Sequence, residues 1–269
     1  MDVNIGFIGG GNIAAAIISG LRAAADPCVI RVTERPNAEK LKTLEKQYGV
    51  IPAELGELIR LSDVVLLAVK PKDVQALLAQ LRELPRQGKL FISVAAGIPL
   101  SALEKYLPET AVVRVMPNTA CMVRQSMSGL VRGAQVSDQQ AAAASQIFNA
   151  VGKTLWTQEE KMNAVTAVSG SGPAYYYLFT EYLIQAGVHL GLTEGEAETL
   201  ARETISGAAK MLAESGKPVS QLRQEVTSPN GTTYEALKVF QENGLADLVD
   251  QAAAACARRG EEMLAEYVK

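Results

Sequence analysis

A segment rich in serine, threonine and glycine, residues 226–233, carries residue types that can hold a carboxylate. Thr232 and Glu235 have the spacing of a capping box, which predicts a helix that begins at Thr233. The first-turn N–H groups of such a helix have no partner within the helix and attract an anion. The segment therefore predicts a carboxylate-binding helix start, although an ordinary capped helix after a turn would have the same spacing.

A second segment, near the amino terminus, has the spacing of a dinucleotide-binding loop. Gly9, Gly11 and Ala14 match the pattern Gly-x-Gly-x-x-Gly/Ala between a short apolar run and an Ala- and Ile-rich stretch. In this pattern the first glycine makes the turn and the second admits the pyrophosphate, while the third small residue lets the helix approach the strand. The strand–turn–helix context predicts a nicotinamide dinucleotide site.

The choice between NAD and NADP depends on the end of the second predicted strand, where Glu34 and Arg35 are adjacent. An acidic residue there would hold the ribose 2′-hydroxyl, and an arginine would accept a 2′-phosphate. Glu34 would repel that phosphate unless its side chain turns away. We expect NADP because the planar guanidinium of Arg35 suits a phosphate, although a solvated surface pair is the alternative.

The elements that position these segments follow from the apolar pattern. Short Val-, Ile- and Leu-rich runs predict strands at residues 3–8, 29–33, 64–69, 90–94, 112–116 and 153–156. Helical patterns lie between them, including residues 13–21, 38–48 and 138–150. This alternation favours an α/β fold with a Rossmann-type, doubly wound parallel sheet.

The strand pattern stops near residue 158, and the rest of the chain is predicted to be helical. The expected helices cover residues 160–168, 173–190, 194–214, 233–242 and 246–268. We therefore expect a dinucleotide-binding domain over residues 1–158 and an all-α domain over residues 159–269. Small residues on these long helices suggest helix–helix contacts between subunits.

Composition argues against several classes of function. A net charge of −3 with scattered Lys and Arg argues against a nucleic-acid partner. Three widely spaced cysteines and a single histidine, His189, predict neither a disulfide framework nor a metal site. No apolar run approaches the ~18–20 residues that span a bilayer, so no membrane association is expected. The amino terminus does not resemble a signal peptide, and we expect a cytoplasmic protein.

Six motifs, in order along nearly the whole chain, resemble those of the Δ1-pyrroline-5-carboxylate reductases, the enzymes that make proline. They lie at residues 7–13, 68–71, 93–97, 114–119, 169–175 and 226–233, and the last two discriminate best. The resemblance implies hydride transfer from NADPH, with NADH possible, to the imine carbon of pyrroline-5-carboxylate. It also implies a helical domain that dimerises, as a homodimer or a ring of dimers.

The resemblance also implies roles for individual residues, with no metal among them. The hydroxyl of Thr233 would be catalytic, as a hydrogen-bond partner of the ring nitrogen. The implied substrate contacts are Ser228, Gly231, Thr232, Thr233 and Asn118. The implied cofactor contacts are Gly9, Gly10, Gly11, Asn12, Ile13, Arg35, Ala68, Val69, Lys70, Pro71, Ala95, Ala96, Gly97 and Asn118. Lys70 is also a candidate acid, but a positioning or structural role is favoured because acid–base lysines are normally buried.

Two departures from the family pattern concern the loops. Ala120 stands where the family commonly has proline, and Asn230 stands where it has glycine. Asparagine tolerates left-handed backbone conformations, so the second change can preserve the loop.

Two other functions remain open at this point. A β-hydroxyacid dehydrogenase also joins a Rossmann domain to helices, but its helical domain carries a lysine that this chain lacks after residues 169–173. A non-catalytic NADP-binding sensor would leave the predicted carboxylate-binding helix start unexplained.

Overall fold

The computed structural model describes residues 3–25, 27–34 and 38–268. The chain packs as two compact units. The first contains Met1–Ser171 together with Cys256–Lys269, and the second contains Gly172–Ala255. The domain boundary that the sequence places at residue 158 stays a prediction.

An eight-stranded sheet forms the centre of the first unit. Its strands are β1 (Asn4–Ile8), β2 (Val29–Thr33), β3 (Ile51–Pro52), β4 (Val64–Leu67), β5 (Leu90–Ser93), β6 (Ala111–Met116), β7 (Ser126–Arg132) and β8 (Gly152–Thr157). They lie in the order β3-β2-β1-β4-β5-β6-β7-β8. The first six have the Rossmann order and pair in parallel, which confirms the predicted fold class.

Helices cover both faces of this sheet. They are α1 (Asn12–Ala23), α2 (Ala38–Tyr48), α3 (Leu55–Leu61), α4 (Pro71–Arg82), α5 (Leu100–Tyr106) and α6 (Asp138–Asn149). Every residue of β4 and β5 is buried, as expected for parallel strands between two helical layers. On one face, Ile17 and Ile18 of α1 join Phe7 of β1 in the core, while Leu58 and Leu78 belong to the core of the other face.

The sheet is not wholly parallel, because β7 runs antiparallel to β6. Strand β7 was not predicted, because its small polar residues give no apolar alternation. The structure explains those residues by close packing: Ser126 and Ser128 are buried, and a Cβ added to Gly129 would lie 2.6 Å from Cγ1 of Val165. The strand is therefore built to accept the following segment against its surface.

That following segment winds through three kinds of helical turn. A 3-10 turn at Glu159–Lys161 leads to the short helix α7 (Met162–Val165) and then to a π-helical turn at Thr166–Gly170. The sequence had predicted one regular helix over residues 160–168. A Cβ added to Gly170 would lie 2.5 Å from Cε of Met116, so the π-turn packs closely against the end of β6.

The second unit is helical, as predicted. It contains α8 (Gly172–His189), α9 (Glu194–Glu214), α10 (Val219–Glu225), α11 (Thr232–Glu242) and the first part of α12 (Leu245–Val268). Helix α10 was not predicted. The capping box of Thr193 and Glu196 begins α9, and Gly191, Gly216 and Gly244 follow helix ends with positive φ angles of 100°, 66° and 73°.

Helix α8 presents large apolar side chains that its own unit leaves exposed over much of their surface. Its mean hydropathy is high, but Gly172 is its only buried residue. Its exposed large side chains are Tyr175, Tyr176, Tyr177, Leu178, Phe179, Tyr182, Leu183 and Val188. A helix that is apolar all round is normally buried, and an exposed apolar surface of this extent marks an interaction site. No helix in the described part of the chain is long and apolar enough to cross a membrane.

Candidate active site

The loop after β1 has the backbone that a dinucleotide requires. Gly9 has a φ of +101°, and an added Cβ would lie 2.6 Å from the carbonyl oxygen of Ala68, so only glycine fits this turn. Gly11 is the N-cap of α1, and the nearest atom to its added Cβ is 3.8 Å away. Ala14 is fully buried where α1 approaches the sheet. Each residue thus matches its predicted part in a pyrophosphate loop.

The start of α1 also suits an anion. Gly11 provides no side-chain cap, and the first turn, which includes Asn12 and Ile13, contains no acidic residue. The first-turn N–H groups of a helix of this length therefore present partial positive charge towards the loop. These features fit a bound pyrophosphate.

A cleft of about 650 Å³ opens beside this loop within the first unit. It is lined by the loops after β1 and β4, by the end of β2 and by one face of α4. The lining residues that bear on the cofactor are Gly9, Gly11, Thr33, Glu34, Lys40, Ala68, Val69, Lys70 and Lys72. The cleft therefore joins several predicted cofactor residues to the carboxyl ends of parallel strands, where doubly wound sheets bind ligands.

Glu34 does not turn away from the cleft. Its carboxylate accepts a hydrogen bond from the backbone N–H of Gly10, across the mouth of the glycine-rich loop. An added Cβ on Gly10 would lie 3.2 Å from the same carboxylate oxygen. A negative charge thus stands at the end of β2, where Rossmann sheets hold the adenosine ribose. Arg35, the predicted phosphate partner, lies outside the described residues.

The loop after β4 contains four of the predicted cofactor residues, Ala68, Val69, Lys70 and Pro71. Lys70 is the N-cap of α4 and Pro71 is its first residue, a position at which proline is preferred. The side chain of Lys70 is exposed. This placement favours the positioning or structural role.

The loop after β5 is covered by the end of the chain. Gly97 has a φ of +75°, and its added Cβ would lie 2.9 Å from Cε of Met263 on α12. Ala95 is buried and Ala96 is half-buried. The final turns of α12 therefore help to fix a loop that the resemblance assigns to the cofactor.

Asn118 is held by several internal hydrogen bonds, made by its backbone and by both polar atoms of its side chain. Its backbone N–H donates to Oγ of Ser126 at 3.2 Å, and its Oδ1 accepts from the backbone N–H of Ala120 at 3.0 Å. Its Nδ2 donates to the carbonyl oxygen of Ser169 at 3.1 Å, while Oγ of Ser169 donates to the carbonyl oxygen of Met127 at 2.8 Å. Asn118 thus connects the loop after β6 to the π-turn, and its contact with a ligand stays a prediction.

The substrate segment begins α11 in a way that the sequence only partly predicted. The prediction of a capping box at Thr232 and Glu235 is wrong. Helix α11 starts at Thr232, and its N-cap is Gly231, which has no side chain to cap the helix. A tight turn precedes it, in which the N–H of Gly231 donates to the carbonyl oxygen of Ser228 at 3.0 Å. Asn230 has a φ of +57°, which confirms the expected left-handed asparagine.

The glycine N-cap leaves the start of α11 open to an external anion. Because glycine replaces a capping side chain, no serine or threonine oxygen occupies the first-turn N–H groups of α11. Thr233 follows in the same first turn, with its side chain partly exposed. The helix start can therefore receive an external carboxylate, with a hydroxyl beside it.

Comparisons with known proteins agree with this geometry. A family model for pyrroline-5-carboxylate reductase dimerisation matches residues 159–263, and one for NADP oxidoreductase, coenzyme F420-dependent, matches residues 4–97. The pyrroline-5-carboxylate reductase of Pseudomonas aeruginosa is 43% identical over 262 residues, which cover 96% of each chain. The chain belongs to the pyrroline-5-carboxylate reductase family.

Solved structures of other pyrroline-5-carboxylate reductases have the same fold. One from Coxiella burnetii has a TM-score of 0.93 and 40% identity, and it covers 98% of this chain and 99% of its own. One from Plasmodium falciparum, solved with NADP bound, has a TM-score of 0.84 and 30% identity, with coverage of 97% and 98%. The likeness extends over both units.

Family membership decides between the functions that the sequence left open. The protein is an NAD(P)H-dependent oxidoreductase that reduces Δ1-pyrroline-5-carboxylate to L-proline, the last step of proline biosynthesis. Its cofactor is NADP, and its helical domain is a dimerisation domain. The exposed apolar side chains of α8 lie within that domain.

Proposed function

We propose that the start of α11 holds the carboxylate of pyrroline-5-carboxylate in this reductase. The observation that carries the proposal is the glycine-capped start of α11 beside the left-handed turn at Asn230. The backbone N–H groups of Thr232 and Thr233, with the hydroxyl of Ser228, supply the donors. The N–H of Gly231 is already bonded to the carbonyl oxygen of Ser228, so Gly231 contributes by leaving the helix start uncapped. A negatively charged group is stabilised there by both hydrogen bonds and the helix dipole.

Thr233 has a separate part in the proposal. Its hydroxyl lies in the first turn of α11, next to the donors that hold the carboxylate, and can hydrogen-bond the ring nitrogen of the imine. A protonated imine is already electrophilic, so the site needs orientation and charge complementarity rather than a strong side-chain acid. Thr233 then touches the reacting ring and is the catalytic residue, whereas the exposed Lys70 has a positioning role.

The first unit holds the cofactor in this proposal, and the bound nicotinamide supplies the hydride. Gly9, Gly10, Gly11, Asn12 and Ile13 receive the pyrophosphate on the loop and the start of α1. The contacts to the ribose groups and nicotinamide then come from Arg35, residues 68–71, residues 95–97 and Asn118. Arg35 would favour NADPH, whereas Glu34 reduces that preference and leaves NADH usable.

The biological setting is also part of the proposal. The dimerisation domain supports a homodimer, and a ring of dimers would bury more of the apolar surface on the helical unit. A cytoplasmic location suits an enzyme that draws on NADPH for biosynthesis. Neither a metal nor a nucleic acid takes part in this chemistry.

The test compares two substrates in an assay that follows NADPH absorbance. Pyrroline-5-carboxylate should be reduced rapidly, whereas 1-pyrroline, which has the same imine and no carboxylate, should be reduced with a much lower kcat/KM. The expected difference is about 1.5–3 kcal/mol per lost charged hydrogen bond, or roughly ten- to a hundred-and-fiftyfold. Equal kcat/KM values for the two imines would exclude the carboxylate cradle.

A further inference from the structure

A buried ion pair connects strand β6 to the segment that leaves the sheet. The guanidinium of Arg114 contacts the carboxylate of Glu159, and their side chains are 4% and 28% exposed. Burial lowers the pKa of Arg114 below its ordinary value, and the nearby Glu159 acts in the opposite direction. A buried charge of this kind is tolerated only with a partner in good geometry.

The same carboxylate oxygen makes a second contact. Oε1 of Glu159 also accepts the backbone N–H of Leu100, at 3.2 Å. Leu100 is the first residue of α5 and lies three positions after Gly97, whereas Arg114 lies four positions before Asn118. One oxygen atom therefore connects the segments that carry the loops after β5 and β6.

These two loops are among the segments to which the proposed function assigns the ribose groups and nicotinamide. The pairing between β5 and β6 ends with Ser93 and Arg114, although β6 continues to pair with β7 up to Met116. The β5–β6 ladder therefore does not set the separation of the two loops beyond that point. A buried ion pair adds little net stability compared with apolar packing, but its hydrogen bonds fix direction and distance. The Glu159 contacts are therefore better suited to setting geometry than to holding the fold together.

We propose that Glu159 is a positioning residue, which sets the separation of the β5 and β6 loops and thereby the placement of the nicotinamide for hydride transfer. The inference rests on the proposed assignment of residues 95–97 and Asn118 to the cofactor. Glu159 touches neither substrate nor cofactor in this scheme. Its second oxygen, Oε2, is buried and has no hydrogen-bond partner among the described residues. Oε1 therefore makes both of the hydrogen bonds that hold this carboxylate.

The chain offers a matched control in Glu104. Its Oε1 accepts the backbone N–H of Ala134 at 2.9 Å, so it too is a carboxylate of the first unit that joins an element to a neighbouring loop. Ala134 follows β7, and neither residue belongs to the loops assigned to the nicotinamide. Glu104→Gln removes the same charge as Glu159→Gln while leaving the β5 and β6 loops connected.

The experiment compares the full-length variants Glu159→Gln and Glu104→Gln with the unchanged enzyme, at a temperature well below every measured Tm. Glu159→Gln keeps an acceptor oxygen but loses the charge that holds the guanidinium of Arg114. It should lower kcat about ten- to a hundredfold, because small misplacements of reacting groups are costly. The primary isotope effect with 4-deuterated NADPH should rise as hydride transfer becomes more limiting. Glu104→Gln should change Tm but leave kcat and the isotope effect unchanged.

A second variant keeps the test decisive if Glu159→Gln folds poorly. The double variant Arg114→Gln/Glu159→Gln leaves no buried charge unpaired, so it should recover stability but not kcat. The inference is overturned if either folded variant keeps the kcat and isotope effect of Glu104→Gln while only Tm falls. Gly11→Ala tests the cofactor site separately. If fluorescence titration shows that Gly11→Ala abolishes NADPH binding, the assignment of the cofactor to the first unit stands. An unchanged kcat in Glu159→Gln then contradicts the positioning role alone.

Discussion

The carboxylate of Glu34 lies against the backbone N–H of Gly10, inside the cleft that receives the cofactor. This contact places a negative charge within the loop that a dinucleotide must approach. The 2′-phosphate of NADPH would meet that charge, whereas the 2′-hydroxyl of NADH can donate to it. The two neighbours Glu34 and Arg35 therefore act on cofactor choice in opposite directions.

Glu34→Gln should raise the ratio of kcat/KM for NADPH to kcat/KM for NADH. Removing one partly exposed like charge is worth about 1 kcal/mol, or roughly fivefold in this ratio. Steady-state kinetics with each cofactor measure it, and titration of protein fluorescence with 2′,5′-ADP and 5′-AMP gives an independent value. Glu45→Gln, an exposed change on α2, is the control. An unchanged ratio would remove Glu34 from cofactor selection.

Arg35→Ala should act in the other direction and weaken NADPH more than NADH. Only NADPH carries the phosphate that a guanidinium binds through two parallel hydrogen bonds. Dissociation constants for the two reduced cofactors, measured by nicotinamide fluorescence, check this. Equal losses for both cofactors would show that Arg35 is a surface charge without a ligand.

Thr233→Ala should keep the fold and lower turnover. The substitution removes one hydroxyl and leaves the backbone donors at the start of α11 in place. A lost hydrogen bond to a charged group costs about 1.5–3 kcal/mol, or roughly ten- to a hundred-and-fiftyfold in rate. Thr233→Ser retains the hydroxyl and should restore most of the activity. Unchanged kcat and kcat/KM in the alanine variant would contradict the assigned role.

Hybrid dimers should recover activity if one subunit binds NADPH and its partner completes the substrate site. Gly11→Ala is the suitable cofactor-binding variant because the added Cβ meets no atom closer than 3.8 Å in the protein, whereas Gly9→Ala would collide with Ala68. Mixing Gly11→Ala with Thr233→Ala chains and assaying isolated hybrids checks the prediction. Inactive hybrids of confirmed composition would place each site within one chain, and a fully active monomer in light scattering would exclude the obligate dimer.

The stability contributed by Glu225 should depend on pH. Hydrogen bonds from Lys217 to both of its carboxylate oxygens, and one from Gln221, lower the pKa of Glu225. Because the folded pKa is depressed, this contribution is present above the ordinary glutamate pKa and is lost as pH falls through the folded value. Urea midpoints of the unchanged enzyme and Glu225→Gln should therefore differ near about pH 7 and converge below about pH 4. Parallel curves across this range would contradict the prediction.

Local patterns in the sequence predicted much of the fold. The bounds of β2, α2 and α9 agree with the prediction, as does the left-handed Asn230, because apolar periodicity and caps act over a few residues. The start of α11 was misplaced by one residue because Thr232 and Gly231 are both acceptable caps, and only the preceding turn at Ser228 selects the glycine.

Contacts between distant residues could not be predicted in this way. Asn118 and Ser169 are 51 positions apart, and Arg114 and Glu159 are 45 apart, so no local spacing signals either pair. Strand β7 was missed for a related reason. Its serines and glycine suit the close packing of a later segment, which includes Val165, and that contact gives no local signal in the sequence. The structure also explains what Ala120 contributes in place of the family's proline. The backbone N–H of Ala120 donates to Oδ1 of Asn118, and a proline at this position would have no N–H to donate.

Ser171 and Cys256 lie side by side, with Oγ and Sγ 3.3 Å apart, although the whole second unit separates them along the chain. In the order of the chain, the helical unit is thus an insert within the nucleotide-binding unit rather than an appendage to it. Its two ends meet at one junction. To exchange substrate preference between related reductases, the segment between Ser171 and Cys256 is therefore the one to replace. This replacement leaves the last turns of α12 in the nucleotide-binding unit of the recipient enzyme.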